Sequence, residues 1–463
     1  MENNLLETKE LEILRNSVDY ASKVLGKKLA QSDNVKKMIM LLENFLRNNK
    51  SLCYGGTAIN AILPEQYKFY DKNIDVPDYD FFTPYPIEYS KKIADLYYNN
   101  GYTEVEAKSS IHSYTFKIFV NFLPIADITY MDETIFNNLY KRSIKINAIS
   151  YCPPNFLRMG MYQELSRPMG DVSRWEKILK RLILLNKNFP LRGNFCNYKN
   201  FQRKYEEEIY NEDENKVNSI KLYKIVKDCF INQGLIFFGG YAASLYGNYM
   251  PKNEKIYTKN IPDFDILSDD PYSSAVILKE QLIYEGFKNI KIILKPPIGK
   301  FVENHYEIMI NKDIIAIIYK TNACHSYNVI TINGRKLKIA TIDTILSFYL
   351  IFIYANRNYY DENRLLCISE FLFKVQLKNR LKQKGLLRRF TVNCYGKQKS
   401  LEDLRSDKSI LYNELKDKSN FKNSKEFKFN FFRYIPSSIE FNKKNIKSKS
   451  KSKSNKKVKT RKK

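Results

Sequence analysis

The 463-residue chain contains the same pattern twice, and a duplication constrains a fold more than any single element does. Leu52-Cys53-Tyr54-Gly55-Gly56-Thr57-Ala58 returns as Phe237-Phe238-Gly239-Gly240-Tyr241-Ala242, at an offset of 184. Pro77-Asp78-Tyr79-Asp80-Phe81 returns as Pro262-Asp263-Phe264-Asp265-Ile266, at 185. Lys117-Ile118-Phe119-Val120-Asn121, running on to Ala126-Asp127, returns as Glu307-Ile308-Met309-Ile310-Asn311, running on to Ala316-Ile317, at 190. Three blocks in one order at nearly one offset predict two copies of one α/β (α+β) unit. Each copy reads as strand, Gly-Gly turn, helix, Asp-x-Asp strand, helix, then a hairpin of two strands.

The remaining segments are arranged around these copies. Val35, Met38, Ile39, Leu42, Phe45 and Leu46 recur at helical spacing, so residues 1–50 form a helical N-terminal segment. The first copy with its trailing helices spans 51–190. Those helices are Pro153–Leu165 and Val172–Leu185, the second with Asp171 as N-cap. A Lys-, Glu- and Asn-rich stretch, 191–220, reads as a linker. The second copy spans 221–360 and includes a buried helix, Thr341–Tyr354. A helical or irregular extension covers 361–441, with a helix near Arg364–Leu377. Residues 442–463 are a Lys/Ser run expected to be disordered.

Charge narrows the partners. Lys plus Arg is 77 and Asp plus Glu is 50, a net charge of +27. Lys443–Lys463 holds 12 of the bases and no acid, which leaves +15 on the rest of the chain. A basic body favours a polyanion, nucleic acid before membrane. No secretory leader is visible, and the most apolar run, Ile345–Tyr354, is far short of the roughly 20 residues that span a bilayer. Seven cysteines, scattered and never in a CxxC, argue against a disulfide framework or a zinc site and for a reducing compartment. Three histidines leave little material for a His-based centre.

The first copy carries the chemistry. Gly55 and Gly56 let backbone approach a bulky anion, and the helix that follows offers free N–H groups to phosphate. Thr57 adds a hydroxyl. Asp78 and Asp80 share one strand face while Tyr79 and Phe81 point to the core. Asp127 interrupts the apolar run Pro124–Tyr130, where a lone acid is costly unless paired or bound to metal. Hard carboxylate oxygens suit Mg²⁺ or Mn²⁺. Asp78, Asp80 and Asp127 are therefore the expected catalytic ligands of two metal ions, one on the attacking oxygen and one on the leaving phosphates, with Asp78 and Asp80 bridging both, and Gly55, Gly56 and Thr57 the expected triphosphate site. The second copy keeps Gly239, Gly240, Asp263 and Asp265 but has Ile317 at the third acidic place and Tyr241 at the threonine. It is expected not to catalyse.

Gly-Gly-Thr, then Asp-x-Asp, then a single strand Asp is similar to the pattern of the nucleotidyltransferase superfamily that includes DNA polymerase β. The expected fold is thus two tandem polymerase-β-like units, the second degenerate. Tyr54–Asn60, Asp78–Phe82 and Ala126-Asp127-Ile128 resemble the poly(A) polymerase catalytic subunits of large DNA viruses, poxvirus and giant-virus type. So do Met161–Pro168 and Arg174-Trp175-Glu176-Lys177. The resemblance implies template-independent addition of AMP from ATP to mRNA 3′ ends with Mg²⁺ or Mn²⁺, and a place in the virion and host cytoplasm. It implies either a processivity subunit or self-association in a homodimer. Charge and position extend the nucleotide site to Arg167, Arg174 and Lys177. The alternatives are a CCA-adding or oligoadenylate-synthetase type of enzyme, or a non-catalytic RNA-binding scaffold.

Overall fold

The computed structural model describes residues 2–71, 73–196, 213–255, 262–355, 357, 359–418 and 420–436. Two helices open the chain, α1 (Glu2–Gln31) and α2 (Asp33–Asn48). The second buries Val35, Met38, Leu42 and Leu46, the spacing expected of a helix with one core face. The first copy follows as β1 (Leu52–Tyr54), α3 (Gly55–Ile62), β2 (Tyr79–Thr83), α4 (Pro86–Asn99), β3 (Val105–Ser109), β4 (Thr115–Val120) and β5 (Leu123–Tyr130). It continues through α5 (Glu133–Lys141) and a short hairpin, β6 (Ile144–Ile146) and β7 (Ile149–Tyr151). Next come α6 (Pro154–Leu165), α7 (Trp175–Asn188) and α8 (Asp213–Asn232).

The second copy repeats the order: β8 (Ile236–Phe238), α9 (Gly239–Tyr246), β9 (Phe264–Ser268), α10 (Pro271–Tyr284), β10 (Ile290–Lys295), β11 (His305–Ile310) and β12 (Asp313–Lys320). The hairpin β13 (His325–Ile332) and β14 (Arg335–Ala340) completes it. The chain ends through α11 (Ile342–Phe352), α12 (Glu362–Lys378), β15 (Cys394–Tyr395), α13 (Leu401–Lys416), α14 (Lys425–Phe431) and β16 (Arg433–Tyr434).

The duplication is strand for strand. One sheet runs β16-β3-β4-β5-β2-β1-β7-β6 and the other β10-β11-β12-β9-β8-β14-β13-β15. Without the added edge strands β16 and β15, each strand of the first order has its repeat at the same place in the second. Details match too. The β4–β5 register shifts between Ile118 and Phe119, and the β11–β12 register shifts at the corresponding Ile308 and Met309. Both hairpins turn at an Asn of positive φ, Asn121 and Asn311. α4 and α10 are each 14 residues long and begin with proline, whose fixed φ suits a first helical turn.

Two compact units result. The first takes the chain up to Phe136, Tyr140–Cys152 and the chain from Leu401 onward; the second takes Asn137–Leu139 and Pro153–Ser400. In the first, Leu52, Phe81, Phe116, Ile118 and Ile128 are sealed from solvent, and α4 packs on β3, β4 and β5; each buried side chain contributes about 1.5–3 kcal/mol. The Tyr97 hydroxyl donates to the Met38 carbonyl at 2.7 Å and ties α4 to α2. In the second, every residue of α11 is buried, and Thr341 caps it by accepting from the Thr344 N–H. α6 packs on α11. This contact places α6 and α7 in the second unit, whereas the sequence boundary at 190 groups them with the first copy.

Two expectations are revised. The glycine helix begins at Gly55 itself rather than after the Gly-Gly turn. Cys196–Cys367 and Cys324–Cys394 are disulfides, against the expectation of none. Their partners lie 171 and 70 residues apart, a distance that spacing motifs do not register. Most of the expected linker, residues 197–212, lies outside the described residues; residues 213–220 are helical. The basic run 442–463 also lies outside them. Among the described residues no helix is long and apolar enough to cross a membrane.

Candidate active site

β2 runs between β1 and β5, antiparallel to the first and parallel to the second. Asp80 therefore faces Tyr54 on one side and Asp127 on the other. Asp127 in turn faces Lys117 on β4. Register partners present their side chains on the same sheet face, so Tyr54, Asp80, Asp127 and Lys117 form one row. Adjacent strands stand about 4.8 Å apart, which sets Asp80 and Asp127 side by side.

The row is held by its neighbours. Gly55 closes β1 at φ +74°, and a Cβ there would lie 2.6 Å from Asp80 Oδ2. Only glycine admits both the left-handed backbone and the carboxylate. The Thr57 hydroxyl donates to the Asp78 carbonyl at 2.6 Å, so it fastens the start of the Asp-x-Asp segment to the glycine helix. Lys117 Nζ lies 2.6 and 2.9 Å from the two Asp127 oxygens. The pair is partly exposed, Lys117 at 37% and Asp127 at 21% of the side chain. Burial, and then the charge of Asp80, hold the Tyr54 phenol far above its usual range and hence protonated. Its hydroxyl bonds Thr129 Oγ1 at 2.9 Å, and its ring stacks on Phe82.

Asp78 stands apart. It precedes β2 and is exposed, while Tyr79 and Phe81 are buried as the alternation requires. Asp80 and Asp127 are thus brought together by the register, and Asp78 is not on the paired strand. Among the described residues no group of three or more His, Cys, Asp or Glu is disposed to hold a metal ion. Arg167, Arg174 and Lys177 lie in the second unit. The Arg167 guanidinium is enclosed, and burial lowers its pKa to about 10; Nη2 donates to Asn322 Oδ1 at 3.3 Å. Arg174 pairs with Glu164 at 3.5 Å, and Lys177 is exposed on α7.

The second unit preserves the frame of this site and fills it. Asp265 faces Phe238 and Ile317, and Glu307 faces Ile317. Ile317 is fully buried and offers no oxygen. Around Gly240, Asp263 and Asp265, the side chains of Tyr349, Phe352, Tyr359 and Tyr360 leave a cavity of about 20 Å³, no more than a water's room. Tyr360 stacks on Phe352 at 4.3 Å and bonds the Tyr319 hydroxyl at 2.8 Å.

Lys117 escaped notice among the sequence candidates, although its signal was present. In the aligned blocks Lys117 becomes Glu307 where Asp127 becomes Ile317.

A glycine turn set against an aspartate of the neighbouring strand, with a second aspartate in register, is the arrangement the motifs predicted. Residues 40–171 match the family described as poly(A) polymerase catalytic subunit. A protein of Acanthamoeba polyphaga mimivirus, assigned as such a subunit, is 24% identical over 83% of this chain and 68% of its own length. One of African swine fever virus (strain Badajoz 1971 Vero-adapted), with the same assignment, is 28% identical over 36% of each chain. The alignments thus span about two thirds and about a third of these relatives. The crystal structure of the Megavirus polyadenylate synthase shares the fold, with a TM-score of 0.75 at 20% identity, over 93% of this chain and 86% of that one. The resemblance read from the motifs holds: in sequence the chain is similar to poly(A) polymerase catalytic subunits, and in fold to the Megavirus protein.

Proposed function

We propose that the chain is a template-independent poly(A) polymerase that adds AMP from ATP to the 3′ end of mRNA. The observation that carries this reading is the row Asp80–Asp127 on β2 and β5, with the Gly55 turn set against Asp80. Two neighbouring carboxylates repel each other unless a cation lies between them, and their oxygens are the donors Mg²⁺ and Mn²⁺ prefer. Asp80 and Asp127 would hold such an ion, with Asp78 drawn in from the exposed segment before β2. The ion, when bound, would lower the pKa of the acceptor hydroxyl and offset charge on the phosphates.

The protein supplies the rest. The first N–H groups of α3, at Gly55 and Gly56, have no acceptor within the helix and would receive the triphosphate. Thr57 acts on Asp78 through its carbonyl. Asp127 is oriented from the β4 side by Lys117 and would accept the proton of the 3′-hydroxyl. Arg167, Arg174 and Lys177 are proposed to add positive charge for the nucleotide. The net charge of the body and of the Lys443–Lys463 tail would draw RNA without regard to sequence. A processivity subunit or a second copy of the chain, and action in the virion and host cytoplasm, complete the proposal.

The test is primer extension by the purified chain with an RNA oligonucleotide, each NTP separately, and Mg²⁺ or Mn²⁺. ATP alone should give long products. A short defined addition needing CTP would move the chain to the CCA-adding type. No incorporation from any nucleotide would remove the enzymatic reading.

A further inference from the structure

The rows of the two units differ at two adjacent places together. Lys117 faces Asp127 in the first, and Glu307 faces Ile317 in the second. Lys117 reaches both oxygens of its partner. Glu307, only 2% exposed, turns away to Lys295 at 3.0 Å. A lysine left opposite a buried isoleucine would carry an unpaired charge in an enclosed place, so the lysine goes when the acid goes. The reverse holds in the first unit. Asp127 beside Asp80 needs positive charge near it in the ion-free chain, and Lys117 provides it. The ammonium sits on the same oxygens an entering cation would use. Its four-carbon stem and partial exposure let it withdraw without moving the strand.

We propose that Lys117 is a positioning residue of the active site: its ammonium holds the Asp127 carboxylate in the ion-free chain and gives up one of its oxygens when a divalent cation enters. The proposal rests on the function proposed above and adds a residue to it. Lys117 touches neither nucleotide nor acceptor and acts through Asp127.

The full chain is compared with Lys117→Met, which keeps the stem and drops the charge, and with Lys117→Arg. Mn²⁺ binding is measured by calorimetry without RNA or ATP, and tailing kinetics and thermal melting are recorded beside it. Removing a cation that competes for the same oxygens should tighten Mn²⁺ binding about fivefold in Lys117→Met. Its kcat should fall at least about tenfold with the ATP KM within roughly twofold, because Asp127 is no longer oriented. Lys117→Arg should recover kcat to within roughly threefold. Unchanged Mn²⁺ affinity and kcat in a normally melting Lys117→Met would overturn the proposal. So would a loss of kcat that follows a lowered melting point and that arginine does not rescue. A wild-type chain that tails RNA while Lys117→Met behaves like it leaves the polymerase reading standing and removes only the lysine's role. A wild-type chain that neither binds Mn²⁺ nor tails removes both.

Discussion

Set side by side, the two units separate what the fold needs from what the chemistry needs. Both keep a glycine of positive φ at the end of the first strand, Gly55 and Gly239, and both press it against an aspartate of the next strand. Both keep the strand order, the β-bulge in the hairpin and the proline-led helix. They part at the next places in the row, where Asp127 and Lys117 give way to Ile317 and Glu307. They part again in the space above it, which Tyr359 and Tyr360 occupy in the second unit. The Gly–Asp contact is thus kept with and without the second aspartate, because it closes a turn. Glycines and Asp-x-Asp in a chain therefore mark the frame, and under the proposed function the third acid, Asp127, is what the second unit lacks.

The largest effect should come from the equivalent aspartates. Asp80→Ala removes a carboxylate from the row and should lower tailing by roughly 10³-fold. Asp265→Ala lies in a filled site of the other unit and should leave tailing within about twofold. The comparison is read by primer extension under identical conditions. Equal losses in both variants would mean that the second unit takes part in the chemistry.

The equivalent glycines sharpen the same contrast. A Cβ at Gly55 would meet Asp80 Oδ2 at 2.6 Å, and one at Gly239 would overlap the Asp265 carboxylate. Each alanine also takes on a left-handed backbone costing about 1–2 kcal/mol. Gly239→Ala should lower the stability of the second unit by roughly 2–4 kcal/mol and leave tailing intact below its melting point. Gly55→Ala displaces Asp80 and should lower tailing by about 10²-fold. Trp175 is the chain's single tryptophan and belongs to the second unit, so its fluorescence follows the unfolding of that unit. A Gly239→Ala chain with an unchanged Trp175 transition would show that the Asp265 contact bears no weight.

Much of this frame was legible in the residues because its parts are local and repeated. The Gly-Gly turns, the Asp-x-Asp strands, α2, α6, α11 and α12 are each written in spacing alone. What the spacing did not show is what distance in the chain hides. β10 carries a mixed pattern, and β6 and β7 are three residues each, too short for periodicity to register. The disulfides join residues far apart in sequence. Arg158, fully buried and donating to Asn155, Asn186 and the Phe189 carbonyl, gave no sign of its burial, because a lone arginine on a helix ordinarily reads as surface. Within the site, Asp80 and Asp127 were legible as acids in apolar strands. That Asp78 stands outside β2, and that Thr57 gives its proton to a carbonyl, depended on the path of the intervening chain.

Acid should affect the units unequally, the smallest of the three effects. Two of the three histidines lie in the second unit and both are buried, whereas His112 of the first is exposed. His305 stacks on Tyr319, receives a bond from Arg357 Nη1 at 2.6 Å on Nε2, and has Nδ1 3.3 Å from the Glu303 carbonyl. Tyr359 also reaches Nε2 at 3.4 Å, and Lys295 adds a further positive charge. Burial first, and the Arg357 charge second, lower the His305 pKa to about 4. Burial and then Arg167 lower that of His325 to about 3. Both rings are therefore neutral in the folded chain at pH values where an unfolded histidine, with a pKa of about 6.5, already binds a proton. Stability from these groups is complete above about pH 6.5 and is lost as pH falls toward 4, with the unfolded chain binding up to two more protons in that window. Near pH 5.5 this amounts to about 2–3 kcal/mol per pH unit for the second unit. Urea titrations followed at Trp175 should show this slope between pH 6.5 and 5, and His305→Asn should roughly halve it. A slope that His305→Asn leaves unchanged would place the proton uptake elsewhere in the unit and remove this distinction between the two halves of the chain.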